Sequence, residues 1–245
     1  MDDCLQVKAF ETSKSKVKTR KAMDDHLIPK HPFRLILSGS SGSGKSNLLL
    51  HLLTQKQLYK GYFDIIFIIS PTAGKLDDSY SALSKHKGKT VIRIINDLNA
   101  DLIEQIMATN KKLILNNQVH KAPKILIVYD DVVADKKFMG MKSFLHSFIA
   151  SRHYNASVII CTQKFNSVPR TCRLQANAIM YFRGTNGERE TLVNEFSPAG
   201  YNKKETSAIF DYATRDPYSF LYINLMAPRS ERYRKNLKEI LRLKR

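Results

Sequence analysis

Cysteine is scarce in this chain of 245 residues. Only Cys4, Cys161 and Cys172 occur, and they do not have the spacing of paired cysteines. An odd number of isolated cysteines excludes a disulfide framework and a zinc knuckle. We therefore expect a reducing, intracellular environment.

Long apolar runs are also missing. No stretch reaches the roughly 18 apolar residues that a membrane-spanning helix requires. The N-terminus is polar and charged through Lys21 and has no apolar signal segment. We expect a soluble protein that is not secreted.

Acidic residues are few relative to basic ones. The chain has 22 Asp and Glu against 40 Lys and Arg, which gives a net charge of +18 at pH 7. Nucleic acid is the partner that fits best, because a membrane binder would show a basic amphipathic helix beside an apolar anchor. Charge that serves only solubility is the alternative. Without a helix-turn-helix or another base-reading motif, contacts should be with phosphates and independent of sequence.

The remaining composition, 43% hydrophobic and 25% charged, is typical of one globular domain with a sizeable core. We predict a lysine-rich N-terminal arm over residues 1–30, the main domain over 31–228, and a basic C-terminal helix over 229–245. That helix would have a narrow apolar stripe of Tyr233, Leu237, Ile240 and Leu241. Its basic side would face either solvent or a partner such as DNA.

From Phe33 onward, short β-branched runs alternate with helical stretches, which predicts an α/β fold with a parallel sheet and helices on both faces. The predicted strands are 33–38, 62–69, 90–95, 124–129, 157–161, 178–182 and, at an edge, 220–225. The predicted helices are 45–57, 100–116, 138–151, 188–196 and 203–212.

One segment matches the phosphate-binding pattern G-x-x-x-x-G-K-[ST] in full: Gly39-Ser40-Ser41-Gly42-Ser43-Gly44-Lys45-Ser46. It follows a predicted strand and opens a predicted helix, as this motif requires. Its glycines let backbone N–H groups point at a phosphate, and the helix N-terminus adds a positive dipole end. Lys45 should reach the β- and γ-phosphates of ATP, and the Ser46 hydroxyl should bind Mg²⁺.

An acidic pair ends the continuous apolar run that begins at Lys124. Such a run belongs in the centre of a sheet, and its carboxyl end is where open α/β sheets bind ligands. Asp130 is predicted to hold Mg²⁺, and Asp131 to polarise the attacking water. An acidic turn without a catalytic role is the alternative.

Two further features could complete the chemistry. Gln163 ends the apolar run that begins at Ser157 and could sense the γ-phosphate, although it could also be a simple loop cap. An arginine can neutralise charge in phosphoryl transfer. Arg152 ends a predicted helix and could reach a neighbouring subunit's nucleotide, unless it only caps that helix. The other candidates are Arg170, Arg173 and Arg183.

With these motifs in this order, the chain resembles the FtsK–HerA superfamily of DNA-pumping ATPases. Within it, the chain is similar to the genome-packaging ATPases of poxviruses, other large DNA viruses and virophages, and most to those of virophages. The resemblance covers about residues 30 to 225 and depends on residues 39–46, 70–72, 130–131, 152 and 157–163.

The resemblance implies a P-loop NTPase of the RecA-like class in which the strand ending at Gln163 lies between the other two motif strands. It implies a ring, usually a hexamer, around double-stranded DNA. It also implies Gln163 as sensor and Arg152 as the arginine that acts in trans. Asp131 replaces the Glu of cellular members.

The sequence thus leads to the hypothesis of an ATP- and Mg²⁺-dependent motor that packages viral DNA into a preformed capsid. Its protein partner would be the capsid or the portal vertex of the capsid. Such a protein would be found in the virion and in the host cytoplasm. Two alternatives are another P-loop enzyme, of the kinase or plasmid-partition type, and a non-catalytic nucleic-acid scaffold that binds ATP.

Overall fold

The computed structural model describes residues 27–73, 80, 83, 89–116, 118–132, 135–198 and 200–242. The strands are β1 (Arg34–Ser38), β2 (Ile65–Ile69), β3 (Val91–Ile95), β4 (Ile125–Asp130), β5 (Ala156–Thr162), β6 (Ala178–Phe182), β7 (Phe220–Asn224), β8 (Tyr233–Lys235) and β9 (Glu239–Ile240). The helices are α1 (Lys45–Thr54), α2 (Ala100–Leu115), α3 (Lys136–Met139), α4 (Lys142–Ile149), α5 (Arg170–Gln175), α6 (Asn186–Phe196) and α7 (Lys203–Ala213).

These nine strands form one sheet in the order β3-β2-β4-β5-β1-β6-β7-β8-β9. The strands from β3 to β6 in this order are parallel, and β7, β8 and β9 extend the sheet in antiparallel fashion. The predicted α/β class is confirmed. So is the position of β5 between β1 and β4, which places the phosphate-binding loop and the acidic pair on either side of one strand.

Helices cover both faces of the sheet. Successive side chains of a strand point to opposite faces, so each central strand contributes to both cores. On β4, Ile127 and Tyr129 join the core formed with α2, α4, α6 and α7. Leu126 and Val128 join the core on the other face, where α1 and an aromatic cluster around Tyr59 pack. Buried strands of this kind need apolar residues on both faces, which explains their continuous apolar runs.

Three elements differ from the prediction. The helix predicted over 138–151 is broken at Gly140 into α3 and α4, and it ends before a 3₁₀ turn over Ser151–Tyr154. Helix α5 was not predicted. Strand β7 is not an edge strand, since β8 pairs with its far side.

The predicted basic C-terminal helix is wrong. Residues 233–240 form the β8–β9 hairpin, and residues 243–245 lie outside the described residues. Arg234 and Lys235 are not solvated, because β8 buries both against acidic partners: Arg234 pairs with Glu231 and Lys235 with Asp216. Pairing with β7 satisfies the backbone of β8, which overrides the helical spacing of the apolar residues.

Most of the predicted N-terminal arm, residues 1–26, lies outside the described residues. The last residues of the arm pack on the domain: Ile28 is buried, and the carbonyl of Pro29 accepts a hydrogen bond from the Tyr59 hydroxyl at 2.5 Å. Within the described ranges, none of the helices has the length and apolar character to span a membrane.

His31 makes the stability of this fold sensitive to pH. The side chain is only 4% exposed, and its ring nitrogens lie 2.6 Å from Ser157 Oγ and 2.9 Å from Asn155 Oδ1. Burial, partly opposed by the hydrogen bond with Asn155, lowers the pKa of His31 to about 4. An unfolded chain binds this proton near pH 6.5, so the folded state loses stability as pH falls from 6.5 towards 4.

We expect His31→Gln to reduce this pH dependence. Between about pH 7 and pH 4.5, the free energy of unfolding of the unmodified protein should fall by about 2 to 3 kcal/mol more than that of the variant. Urea unfolding at both pH values measures the difference, and carboxyl groups that titrate in both proteins cancel. Equal pH dependence in the two proteins would contradict the assignment.

Candidate active site

The loop Gly39–Ser46 joins β1 to α1, and its shape requires glycine. Gly42 and Gly44 have φ of 72° and 101°, the left-handed region that other residues rarely adopt. A Cβ on Gly39 would lie 2.6 Å from Cβ of Phe182 and 2.7 Å from Oγ of Ser43. The backbone therefore curls tightly back over the end of β1 before α1 begins.

The inside of this loop is polar. Nζ of Lys45 donates to the carbonyls of Gly39 at 2.7 Å and Ser40 at 2.9 Å, which leaves one of its three N–H groups for a ligand. Oγ of Ser43 is buried and has no hydrogen-bond partner among the described residues. Together with the N-terminus of the ten-residue helix α1, these groups favour an anion.

The acidic pair lies at the carboxyl end of β4. Asp130 is the last residue of the strand and only 7% exposed, and its Oδ2 accepts a hydrogen bond from the Tyr80 hydroxyl at 2.5 Å. Asp131 follows in a left-handed turn with φ of 54°. Aspartate tolerates this conformation better than most residues, and such outliers concentrate at functional sites.

Strand β5 joins the two motifs. The N–H of Gly39 donates to the carbonyl of Thr162 at 3.2 Å, and the N–H of Asp131 donates to the carbonyl of Cys161 at 3.3 Å. Because adjacent strands are about 4.8 Å apart, the ends of β1 and β4 are separated by about 10 Å. Nε2 of Gln163 approaches Oδ1 of Asp131 at 3.4 Å.

Electrostatics also link the motifs. Burial lowers the pKa of Lys45, and the charge of Asp131 opposes this more than that of Asp130. The structure thus brings the whole loop, Asp130, Asp131 and Gln163 to one edge of the sheet. Their roles in catalysis remain predictions.

The residues at this edge fit a magnesium ion. Mg²⁺ is usually held by one or two carboxylates, and its remaining ligands are water and the phosphates of the substrate. Asp130 supplies a carboxylate at the end of β4, and Ser46 supplies a hydroxyl in the first turn of α1. A single carboxylate and a single hydroxyl beside a phosphate-binding loop are the donors expected for an ion shared with a triphosphate.

The four candidate arginines are separated by the fold. Arg173 is 9% exposed and held by Glu195 at 2.9 Å and by the carbonyl of Val168 at 2.7 Å, so it is structural. Arg170 is exposed and lies 3.6 Å from the same glutamate. Arg183 follows β6 and lines a cavity beside the phosphate-binding loop.

Arg152 lies at the opposite edge of the sheet. It belongs to the 3₁₀ turn that precedes β5. Burial lowers the pKa of Arg34 at the start of β1, and the positive charge of Arg152 lowers it further. Because β5 spans seven residues, about 20 Å separate Arg152 from the end of this strand. Arg152 therefore cannot reach the phosphate-binding loop of its own chain.

Two residues near the acidic pair were not predicted. Tyr80 contacts Asp130 from the segment between β2 and β3, and Thr72 lines a cavity of about 480 Å³ with Asp131 and Gln163. Thr72 belongs to the segment 70–72 that supports the family resemblance, so a signal existed for it. A lone tyrosine in a polar segment carries no such signal.

Comparison with known proteins identifies the family. The family described as Poxvirus A32 protein matches residues 20–213 of this chain. The chain belongs to this family. The chain is also similar to the DNA packaging protein OPG160 of Variola virus, which is 26% identical over 174 residues, covering 71% of this chain and 62% of that protein.

Other relatives are similarly distant. The DNA packaging protein OPG160 of Monkeypox virus is 27% identical over 177 residues, covering 71% of this chain and 55% of that protein. The chain thus spans about three fifths of the length of these two relatives. The family match over residues 20–213 includes the phosphate-binding loop, the acidic pair, Arg152 and Gln163.

The fold has a solved counterpart. The genome packaging NTPase B204 from Sulfolobus turreted icosahedral virus 2, solved in complex with AMP, superimposes with a TM-score of 0.59. It is 20% identical, and the alignment covers 86% of this chain and 98% of that one. At this identity the similarity establishes the P-loop NTPase fold.

Proposed function

We propose that this protein is an ATP- and Mg²⁺-dependent translocase that drives double-stranded viral DNA into a preformed capsid. One observation carries the proposal: strand β5 holds Gly39, Asp131 and Gln163 at one edge, where Lys45 and Asp131 interact. The DNA packaging function named for the similar OPG160 proteins of Variola virus and Monkeypox virus supports it. So does the net charge of +18, which suits a polyanionic partner.

Each residue at the edge has a distinct role in this proposal. Backbone N–H groups of residues 39–46 and the ammonium of Lys45 bind the phosphates of ATP. Ser46 and Asp130 would hold a Mg²⁺ ion, which would supply positive charge beside the phosphates. Asp131 polarises the water that attacks the γ-phosphorus and takes its proton, while the bond to the oxygen bridging to the β-phosphate breaks. Gln163 positions that water and senses the γ-phosphate.

The active unit in this proposal is a ring, a hexamer by analogy with the superfamily, in which Arg152 serves the nucleotide of the neighbouring subunit. The separation of Arg152 from its own loop supports this role, because only a second subunit can bring it to a triphosphate. The capsid or its portal vertex would be the protein partner. The protein would act in the host cytoplasm where virions assemble and would remain with the virion.

The rival functions have less support. Asp131 with Gln163 beside it is an arrangement that a scaffold binding ATP only as a structural ligand does not need. A kinase needs a site for a phosphoacceptor, and the family relatives are DNA packaging proteins. We therefore put forward no second function.

Double-stranded DNA should stimulate ATP turnover in a salt-dependent way. Contacts with phosphates release counterions, so the logarithm of the DNA affinity should fall linearly with the logarithm of the salt concentration, with a slope of about −0.9 per phosphate contact. Steady-state phosphate release with and without DNA, from about 50 to about 200 mM salt, measures the stimulated fraction.

Duplexes of different sequence provide the control, since contacts with phosphates carry no sequence information. The stimulation should be equal for all of them, and the turnover without DNA should change little over the same range of salt. DNA affinity that stays constant across this range would contradict the proposed contact between the basic surface and DNA.

A further inference from the structure

The nucleoside end of ATP has a predictable direction in this site, if the proposed function is accepted. Asp130, Asp131 and Gln163 lie on β4 and β5, to one side of β1. In the proposed function these residues act on the γ-phosphate, which places the γ-phosphate on their side of β1. The α-phosphate and the nucleoside therefore extend to the other side of β1, towards β6 and β7.

A cavity lies on that side. It has a volume of about 320 Å³ and is bounded on one wall by the phosphate-binding loop and on the other by residues 214–219, which precede β7. The volume lies within the range of about 300 to 1,000 Å³ that is typical of small-molecule sites. From the loop, Ser40, Gly42 and Ser43 contribute to the wall.

Tyr218 is the aromatic residue at the mouth of this cavity. Its side chain is 74% exposed, and its backbone is left-handed, with φ of 59°. Cδ1 of its ring lies 3.4 Å from the position that a Cβ on Gly44 would occupy, so the ring borders the phosphate-binding loop. A bulky residue in this conformation is uncommon, and a large exposed aromatic ring beside a ligand loop suits base stacking.

The turn that carries Tyr218 is firmly held. The carbonyl of Asp216 accepts hydrogen bonds from Oγ of Ser219 at 2.7 Å and from its N–H at 3.1 Å, and the carboxylate of Asp216 pairs with Lys235. The buried strand β7 follows directly. The ring is thus presented by a rigid backbone although its own side chain is largely uncovered.

One cation in the cavity wall is available to a ligand. Arg183 is exposed and forms no ion pair or side-chain hydrogen bond with the described residues. Arg215, in the same wall, lies over the ring of Tyr212 at 4.5 Å and 3.5 Å from Asp216. Arg183 is therefore the guanidinium best placed to meet an α-phosphate or the face of a base.

We propose that this cavity is the nucleoside subsite, with the ring of Tyr218 stacked on the base and Arg183 at the α-phosphate. On the wall formed by residues 214–219, the polar side chains already have partners: Oγ1 of Thr214 donates to the carbonyl of Phe210, Oγ of Ser219 donates to the carbonyl of Asp216, and Asp216 pairs with Lys235. Recognition therefore depends on stacking, which any base can provide. The site should bind ATP and GTP with similar affinity.

Tyr218→Trp provides a direct test, because the chain contains no tryptophan and the variant has a single indole fluorophore. Titration with ADP, GDP and tripolyphosphate, each with Mg²⁺, should quench the fluorescence with both nucleotides and leave it unchanged with tripolyphosphate. Leu115→Trp is the matched control, since Leu115 is 70% exposed at the end of α2, away from the site. Its fluorescence should respond to none of the three.

Tyr218→Ala separates this inference from the proposed function. By calorimetry, its affinity for ADP and for GDP should each fall by about 5- to 150-fold, the effect of losing one base–aromatic stack, while its affinity for tripolyphosphate is unchanged. Unchanged affinity for ADP, or equal losses for ADP and tripolyphosphate, would overturn the subsite and leave the phosphate site intact. If the unmodified protein binds none of the three, the nucleotide site itself is wrong.

Discussion

Lys45→Ala should lower ATP turnover by at least about 10³-fold, the upper range for removing one donor that stabilises charge in a transition state. The ammonium of Lys45 is held 2.7 Å from the carbonyl of Gly39 and 2.9 Å from that of Ser40, so it sits across the loop that receives the phosphates. It is also the cation that interacts with Asp131. Steady-state phosphate release in the presence of DNA and Mg²⁺ measures the loss.

Lys56→Ala is the matched control for this prediction. Lys56 is an exposed lysine two residues beyond the other end of α1, so its loss removes the same charge without touching the loop. Turnover of this variant should stay within about twofold of normal, since surface substitutions have small effects. Thermal unfolding should show both variants folded. A Lys45→Ala protein that turns over ATP at the normal rate would refute the ATPase proposal.

The central fold could be predicted because its signals are local. A strand buried on both faces is apolar at most of its positions, so β1, β4, β5 and β6 are visible as nearly continuous apolar runs in the sequence. The phosphate-binding loop is equally visible, because glycines at fixed positions are required by its backbone.

The C-terminal hairpin could not be predicted for a physical reason. Strand β8 has three residues and β9 has two, which is too short for an alternating pattern. The buried charges of Arg234 and Lys235 are compensated by Glu231 and by Asp216 in the turn before β7. In the sequence, both residues looked like part of a solvated basic surface. Only the pairing of β8 with β7 brings Lys235 to its distant carboxylate.

Within the site, too, residues that follow a local sequence pattern could be predicted, and residues placed only by tertiary contacts could not. Asp130, Asp131 and Gln163 follow recognisable strands, so their meeting at one edge could be predicted from strand order. Tyr80 and Tyr218 reach the site from segments without a motif, through contacts with Asp130 and with the loop at Gly44 that depend on the tertiary fold. No local pattern predicts such contacts.

The geometry of the single chain also bears on the proposed ring. Asp130, Asp131 and Gln163 lie on one side of β1, and the candidate arginine Arg183 lies on the other side. The cations beside the acidic pair are lysines: Lys45 crosses the phosphate-binding loop, and Lys136 and Lys164 line the cavity with Asp131 and Gln163. In the proposed ring, Arg152 would supply a guanidinium to a neighbouring subunit, since it is exposed at the opposite edge of its own sheet.

Arg152→Ala should therefore lower turnover by about 10³-fold or more, as does the loss of an arginine that acts in trans in related phosphoryl transfer. Its affinity for ADP should not change, because Arg152 lies about 20 Å from its own loop. The decisive measurement is the turnover of a mixture with Lys45→Ala. In mixed rings, a Lys45→Ala subunit presents an intact Arg152 to the intact loop of an Arg152→Ala neighbour, so two inactive proteins should regain activity together.

The double variant Lys45→Ala/Arg152→Ala is the matched control, because it joins the ring but supplies neither group. Mixed with Arg152→Ala, it should restore nothing. Native mass spectrometry with a non-hydrolysable ATP analogue establishes that mixed rings form in both cases. If mixed rings form and remain inactive with Lys45→Ala, or if Arg152→Ala alone is fully active, then Arg152 does not act in trans. In that case its exposed position before β5 reflects only the end of the preceding helix.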